Sequence, residues 1–414
     1  MKLGYITFSN EEQQFVHRVI QQINQGAIDE LGFGRIRDAF SDEMFPGMST
    51  LHRRSKYFVL LPTLYNQLSQ KINKESSDIS SLIRRWEINM TISLLKGANQ
   101  GDIGITGSSI GITELEKGRY VKITPTNIYL EALRFLGLVN NSMSLINLIK
   151  QQSERNLESL KNRRTRDEIV EDPDGTDTSI GAKQNFFTFP GYRFDKVSYI
   201  DLQLTEYEAN ILKQRIIRYC RYSDKTPKLY SYILQNEKIR IKQSFFDLKT
   251  SIDKFPDSQK KLKEAYYMAY DFSKWAHLMN TYYRYIFNLK AGHQEIADKL
   301  KDHINGVLSS YDFPQFDRIE EILKYIKSNP GFKDVNKLCD FCLEAARLLD
   351  NIDNKEADLI KLITKRELCI KRNHHKIGNP RYDNTDYSNP PGYYSYRWDE
   401  IVYSMIIDIR NPKK

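Results

Sequence analysis

The densest group of side chains that could do chemistry is a basic segment near the end of the printed sequence. Its cations are Lys361, Lys365, Arg366, Lys371, Arg372, Lys376 and Arg381. The tyrosines that follow are Tyr382, Tyr387, Tyr393 and Tyr394. Cations that meet phosphates and rings that stack on bases often occur together on nucleic-acid-binding surfaces. We therefore predict phosphate contacts here. The alternative is a solvated helix face whose charges pair with acids elsewhere in the fold.

A second candidate surface lies on a helix that the sequence predicts after Thr124. Thr124 is a suitable N-cap, Pro125 occupies the first helical position, and Gly137 is a typical left-handed stop. Within residues 84–139 this pattern is typical of the recognition helix of a winged-helix-like unit, whose N-terminal end contacts DNA.

Such a unit would offer few cations to DNA. Lys122 and Arg134 are its predicted phosphate contacts, and Glu131 would oppose them. Arg54 and Lys56 are further candidates in the preceding segment. The alternative is a structural three-helix unit that contacts protein.

Metal chemistry is a third possibility, because Cys339 and Cys342 have the spacing of zinc ligands. Cys369, His374 and His375 lie downstream as the remaining ligands such a site would need. The two cysteines also continue the apolar face of a predicted helix, where free cysteine behaves as a small hydrophobic residue. We predict this packing role, with no metal and no cofactor.

Hydrolytic chemistry is a fourth possibility, since acidic and basic residues cluster early in the chain. The acids are Asp29, Glu30, Asp38, Asp42 and Glu43, and the nearby cations are Arg35, Arg37, Arg53 and Arg54. Carboxylates near arginines superficially resemble a metal-dependent nuclease site. The alternative is that they neutralise one another around a buried turn. The sequence contains no P-loop, nucleophile elbow or HExxH motif, so we predict a protein without catalytic activity.

Composition predicts a folded protein of more than one domain. The 414 residues are 40% hydrophobic and 28% charged, and they include 26 Tyr and 20 Phe. Buried Tyr needs a partner for its hydroxyl, so hydrogen-bonded rings are expected at element contacts. Four Cys fit a reducing compartment, and neither a signal-peptide core nor a membrane-spanning run is present. We therefore predict a soluble, cytoplasmic protein with no membrane contact.

The elements that position these residues are predicted to be mainly α-helical. A charged segment at 161–184 marks a linker between an N-terminal helical domain, 1–160, and a larger C-terminal helical domain, 185–414. Capping boxes at Ser9–Glu12 and Thr205–Glu208 open two of the helices.

One predicted helix, over residues 265–289, is dominated by aromatic residues. Its rings are Tyr266, Tyr267, Tyr270, Phe272, Trp275, Tyr282, Tyr283, Tyr285 and Phe287. Aromatic residues are favoured at interface hot spots, so a pure interaction scaffold is the first alternative to DNA binding, with this helix and the Tyr-rich tail forming a protein interface. A metal-dependent nuclease is the second.

Several blocks of the sequence resemble an uncharacterised bacterial family, catalogued as domain of unknown function DUF6361. They are Asp29-Glu30-Leu31-Gly32, Ile36-Arg37-Asp38-Ala39, Phe45-Pro46-Gly47, Arg54-Ser55-Lys56-Tyr57-Phe58, Pro125-Thr126-Asn127-Ile128-Tyr129, Leu204-Thr205 with Glu208-Ala209, Phe272-Ser273 through Tyr285, and Tyr396-Arg397-Trp398 before Asp408-Ile409.

The resemblance implies a role in defence against foreign DNA, because such proteins accompany helicases, methyltransferases and phospholipase-D-like nucleases in defence or restriction gene clusters. It transfers no catalytic residue. We therefore expect a non-catalytic accessory subunit that binds DNA or a helicase, methyltransferase or nuclease partner of the same system.

Overall fold

The computed structural model describes residues 29–72, 78–99, 104–167 and 184–413, with side chains throughout except at 160–167. The described residues form fifteen α-helices and no strand, which confirms the prediction of a mainly α-helical protein. No helix in the described part of the chain is both long and apolar enough to span a membrane.

The helices are numbered here in chain order. They are α1 (Gly34–Met44), α2 (Tyr57–Lys71), α3 (Ile79–Gly97), α4 (Ile112–Glu116), α5 (Pro125–Phe135), α6 (Leu145–Asp167), α7 (Glu206–Tyr219), α8 (Leu229–Gln235), α9 (Lys249–Ile252), α10 (Lys260–Ala291), α11 (Gln294–Leu308), α12 (Phe316–Ser328), α13 (Asn336–Leu349), α14 (Ile352–Lys371) and α15 (Tyr403–Arg410). A π-helical turn, Trp398–Val402, leads into α15.

The described residues divide into two compact units, and each is built from separated parts of the chain. The first unit comprises the described residues of 47–239 and 400–413, and the second comprises 29–46 and 240–399. This division differs from the boundary that we predicted at 161–184. Long-range packing causes the difference, because α15 packs on α7 in the first unit and α1 packs on α10 in the second.

The first unit is organised around α2, which packs against α3, α5 and α6. Tyr57 and Tyr65 are fully buried on α2. The Tyr57 hydroxyl accepts a hydrogen bond from Thr106 N at 3.0 Å, and the Tyr65 hydroxyl is 2.8 Å from Thr126 Oγ1. These partners satisfy the hydroxyls that burial removes from water, as expected for tyrosines at element contacts.

The second unit is organised around α10, which packs against α1, α11, α12 and α14. The aromatic residues predicted on this helix fill the core of the unit. Trp275, for example, is 1% exposed, and its ring lies edge-on to Phe33 with centroids 5.5 Å apart. Edge-on ring pairs add to the stabilisation that the buried area itself provides.

Candidate nucleic-acid interface

The outer face of α14 carries part of the predicted basic segment. Lys361, Lys365 and Leu368 are exposed at spacings of four and three residues, and exposed Arg372 follows at the helix end. At about 1.5 Å per residue, the cations extend over roughly 16 Å. The side chain of Lys361 is 79% exposed, and its Nζ lies 3.6 Å from Asp358 Oδ1. These residues remain accessible to a phosphate backbone.

Three other cations of the segment are engaged within the second unit. Arg366 Nε donates to Leu31 O at 3.1 Å, and its guanidinium lies over the Phe341 ring at 5.2 Å. The side chains of Lys371 and Lys376 are only 14% and 12% exposed. These three cations are therefore not accessible to the phosphates of a nucleic acid.

Glu30 holds these two lysines. It is 4% exposed, and its Oε1 accepts from Lys376 Nζ at 3.0 Å and from the Tyr387 hydroxyl. Lys371 Nζ contacts Oε2 of the same carboxylate. Lys376 Nζ also donates to the Tyr387 hydroxyl at 2.7 Å. Burial lowers the pKa of both lysines. Asp29 raises the pKa of Lys371 and Glu367 raises that of Lys376, so Glu30 shares the compensation of the two ammonium groups with these acids.

Glu367, the acid within the basic segment, accepts hydrogen bonds from backbone and from a tyrosine hydroxyl. Its Oε1 accepts from Lys376 N at 2.8 Å and from the Tyr283 hydroxyl at 2.6 Å, and its Oε2 accepts from Ile377 N at 3.1 Å. It is 1% exposed. Glu367 therefore fixes the turn after α14, and the exposed lysines do not depend on it for neutralisation.

The remaining predicted contacts lie apart from α14. Arg381 is exposed beside the Tyr382 ring, and Lys122 is exposed in the first unit. The side chain of Arg134 is 8% exposed, because it donates to Glu131 Oε1 and to Met143 O. Lys56 is buried in an ion pair with Glu208, and the geometry withdraws both of these cations from solvent.

The N-terminal end of α5 is already occupied by protein groups. Glu87 Oε1 accepts from Thr126 N at 2.7 Å, and Asn127 Oδ1 accepts from Thr124 N at 2.9 Å. Within 84–139, the described residues contain no strand, and Val139 forms one isolated bridge with Phe186. The winged-helix-like unit is therefore not confirmed, and a phosphate would have to displace the Glu87 carboxylate from the Thr126 amide.

Glu87 predicts a pH dependence of stability. It is buried, and burial raises its pKa to about 7 from the usual 4.5. The folded state therefore binds more protons than the unfolded state between these values, and the free energy of unfolding falls as the pH rises through this range. We expect Glu87→Gln to raise the free energy of unfolding at pH 8 by about 2 kcal/mol and to leave it nearly unchanged at pH 4.

Urea unfolding of the first unit at several pH values measures this effect. Glu131→Gln is the matched control, because that side chain is 79% exposed and should leave the pH profile as in the wild type. A difference between Glu87→Gln and wild type that does not grow with pH would contradict the argument.

The candidate metal and nuclease clusters do not assemble among the residues named for them. Cys339 and Cys342 are buried, and burial raises the pKa of Cys339 to about 11, so the thiol stays protonated. Among the described residues, no three or more His, Cys, Asp or Glu side chains are grouped as a metal site requires.

Each acid of the early cluster has a partner, and Asp38 and Asp42 share Arg397. Asp29 Oδ2 accepts from Gly34 N at 2.8 Å and Glu43 Oε1 accepts from the Tyr325 hydroxyl at 2.5 Å. The ion pairs are Asp38 with Arg37 at 3.0 Å and Asp42 with Arg397 at 2.6 Å. Arg53 lies in the first unit, where it pairs with Glu400 at 3.0 Å. These contacts are structural. Asp38 pairs with Arg37 of the same cluster, whereas Asp42 and Arg53 pair with residues outside it.

The aromatic residues of α10 do not form an exposed surface. Tyr266, Trp275, Tyr282 and Tyr283 are each at most 1% exposed. An interaction scaffold that depends on these rings therefore lacks the accessible surface it requires.

Comparison with known proteins gives one match. Residues 1–177 match the model of a family of unknown function, DUF6361. This confirms the resemblance for the N-terminal blocks, whereas the blocks from residue 204 onward lie outside the matched range. No curated protein and no solved structure matches the chain.

Beyond the DUF6361 match, α10 carries a polar stripe that the sequence analysis missed. Its members are Ser273, His277, Asn280, Arg284 and Asn288, and each bonds to the loop 387–394. The sequence does contain a signal for this stripe, because polar residues at spacings of four, three, four and four residues lie on one face of an otherwise aromatic helix. The stripe fixes this loop against the helix.

Proposed function

We propose that this protein is a non-catalytic component of a bacterial system that acts against foreign DNA. In this proposal it contacts the DNA backbone through the outer face of α14. The DUF6361 match over residues 1–177 supports the family resemblance, and the resemblance supplies the defence context. The observation that supports DNA binding is that the cations of the basic segment fall into a buried group and an exposed group. Glu30 holds Lys371 and Lys376 inside, while Lys361, Lys365 and Arg372 stay exposed.

This arrangement predicts weak, sequence-independent, salt-sensitive binding. Each phosphate contact adds about −0.9 to the slope of log affinity against log salt for duplex DNA. Three contacts therefore predict a slope near −2.7, which is roughly a 40-fold loss of affinity between 50 and 200 mM salt. A contribution from α5 is expected to be smaller, since Arg134 is engaged by Glu131.

Fluorescence anisotropy with duplex and single-stranded DNA across ionic strengths tests the proposal. The variant Lys361→Gln/Lys365→Gln/Arg372→Gln should bring the salt slope from about −2.7 to near zero and abolish measurable binding at 200 mM salt. The matched control is Lys290→Gln/Lys299→Gln/Lys337→Gln, which removes three exposed cations elsewhere in the second unit. Equal losses of DNA affinity in the two variants would contradict DNA contact through α14. Salt-independent DNA binding by the wild type would contradict it as well.

A protein partner is the second candidate for this end of α14. Leu368 and Ile370 are 50% and 40% exposed, although most side chains of their size are buried. Apolar residues beside cations fit the composition of protein interfaces, where aliphatic contacts are bordered by polar groups. Co-elution with a helicase, methyltransferase or nuclease encoded beside the protein, lost in Leu368→Asp, would favour this candidate. No co-elution with any of them would dismiss it.

A further inference from the structure

The second unit contains a polar cavity that the proposed DNA contact does not use. Its volume is about 380 Å³, which lies within the range of small-molecule sites. The stripe of α10, the loop 386–394 and the segment with Asp29, Glu30 and Arg37 form its walls. Lys361, Lys365 and Arg372 are not among the lining residues. The cavity is therefore a separate feature of the molecule.

Most charged groups in the walls already have partners. Glu30 is bound by Lys376, and Arg37 lies 3.0 Å from Asp38. Asp29 accepts from Gly34 N. Asp386 Oδ1 accepts hydrogen bonds from Ser388 N at 3.1 Å and from Ser388 Oγ at 2.6 Å. These groups need no ligand for compensation.

Arg284 is the exception. Its Nη1 donates to Asn389 O, and its guanidinium lies over the Tyr387 ring at 5.2 Å. Within the described ranges, no carboxylate lies at ion-pair distance from Arg284. Burial lowers its pKa, whereas the nearby Tyr387 and Asp386 act in the opposite direction and compensate the charge only in part. A guanidinium presents five N–H donors, so donors remain for a ligand in the cavity.

The hydroxyl of Tyr394 adds a second donor. Its oxygen accepts from Asn280 Nδ2 at 3.3 Å, and the described part of the chain shows no acceptor for its proton. Burial raises the pKa of Tyr394, so the hydroxyl keeps that proton at neutral pH. Tyr393, which is 48% exposed, lines the same cavity, and one side of its ring stacks on His277 with centroids 4.1 Å apart.

The loop that carries these residues is held in place before any ligand arrives. Tyr394 N donates to Ser273 Oγ at 2.7 Å, and His277 Nδ1 donates to Pro391 O at 2.8 Å. Asn288 Nδ2 donates to Tyr387 O at 3.1 Å. A wall fixed in this way reduces the ordering cost of binding.

We propose that this cavity binds a small anion whose carboxylate or phosphate group is held by Arg284 and by the Tyr394 hydroxyl. Arginine matches the geometry of both anionic groups. The organic part of the ligand would lie against Tyr393. The exposed cations of α14 do not line this site. The anion-binding proposal and the DNA-binding proposal can therefore be tested independently of each other.

Isothermal titration of the full chain with inorganic phosphate, adenosine monophosphate and citrate tests the proposal. We expect at least one probe to bind with a Kd below about 1 mM. Arg284→Gln should weaken it at least about tenfold, the loss expected for a charge-assisted hydrogen bond. Tighter binding of adenosine monophosphate than of phosphate would indicate stacking on Tyr393, and preference for citrate would identify a carboxylate ligand.

Lys290→Gln, an exposed charge loss on the same helix, is the matched control and should leave the Kd unchanged. Tyr394→Phe should weaken binding several-fold while keeping the ring, so the proposal stays testable if Arg284→Gln does not fold. No binding of any probe at about 10 mM would overturn the proposal. Equal affinity in wild type, Arg284→Lys and Tyr394→Phe would overturn it as well.

Discussion

Replacing Glu30 by Gln is expected to lower the free energy of unfolding of the second unit by about 3–5 kcal/mol, the cost of leaving buried charge unpaired. The carboxylate compensates Lys371 and Lys376 and also accepts from Tyr387. Glutamine keeps the shape of the side chain and removes its charge. Two ammonium groups then remain in a site that already lowers their pKa.

The midpoint of urea unfolding measures this loss. Glu356→Gln is the matched control, because its pair with Lys301 is about one-third exposed and should cost less than about 1 kcal/mol. In the Glu30 variant the buried lysines bind fewer protons than they do in the unfolded chain. Stability relative to wild type should therefore recover as the pH rises from 7 to 9. A variant within about 1 kcal/mol of wild type would show that the lysines reach solvent.

Replacing Lys56 by Met is expected to destabilise the first unit by a similar amount, about 3–5 kcal/mol. Lys56 and Glu208 have side chains only 2% and 3% exposed, with Nζ and Oε2 2.8 Å apart. Lys56 Nζ also donates to Gln203 O at 2.8 Å. Methionine fills the volume of the aliphatic stem, so the variant isolates the loss of the cation beside a buried carboxylate.

The matched control is Lys71→Met at the other end of α2, where the pair with Asp195 has a 54% exposed lysine. It should cost about 1 kcal/mol or less. A loss in Lys56→Met no larger than the loss in Lys71→Met would contradict an electrostatic origin.

Local chemistry allowed much of the helical framework to be predicted from the sequence. The predicted capping box at Thr205–Glu208 opens α7, with Thr205 N and Glu208 Oε2 2.8 Å apart. Pro125 begins α5 as predicted, and the aromatic helix predicted at 265–289 lies inside α10. These features depend on hydrogen bonds and side chains three or four residues apart, which a single sequence displays directly.

Partners far apart in the chain were decided by tertiary structure alone. Glu208 belongs to a recognisable capping box, yet nothing near it in sequence identifies Lys56, 152 residues away, as its cation. The division into two units has the same origin, because α1 joins helices that begin more than two hundred residues later.

The basic segment, the first feature that the sequence presented, shows the same limit most clearly. Lys361 and Lys365 look no different in sequence from Lys371 and Lys376, and helical periodicity places the first pair on the outer face of α14. Only the folded chain brings Glu30 to the second pair, 346 residues before Lys376. The sequence determined that a cluster of cations exists. Which of them face solvent depends on the desolvation and pairing that packing imposes on each side chain.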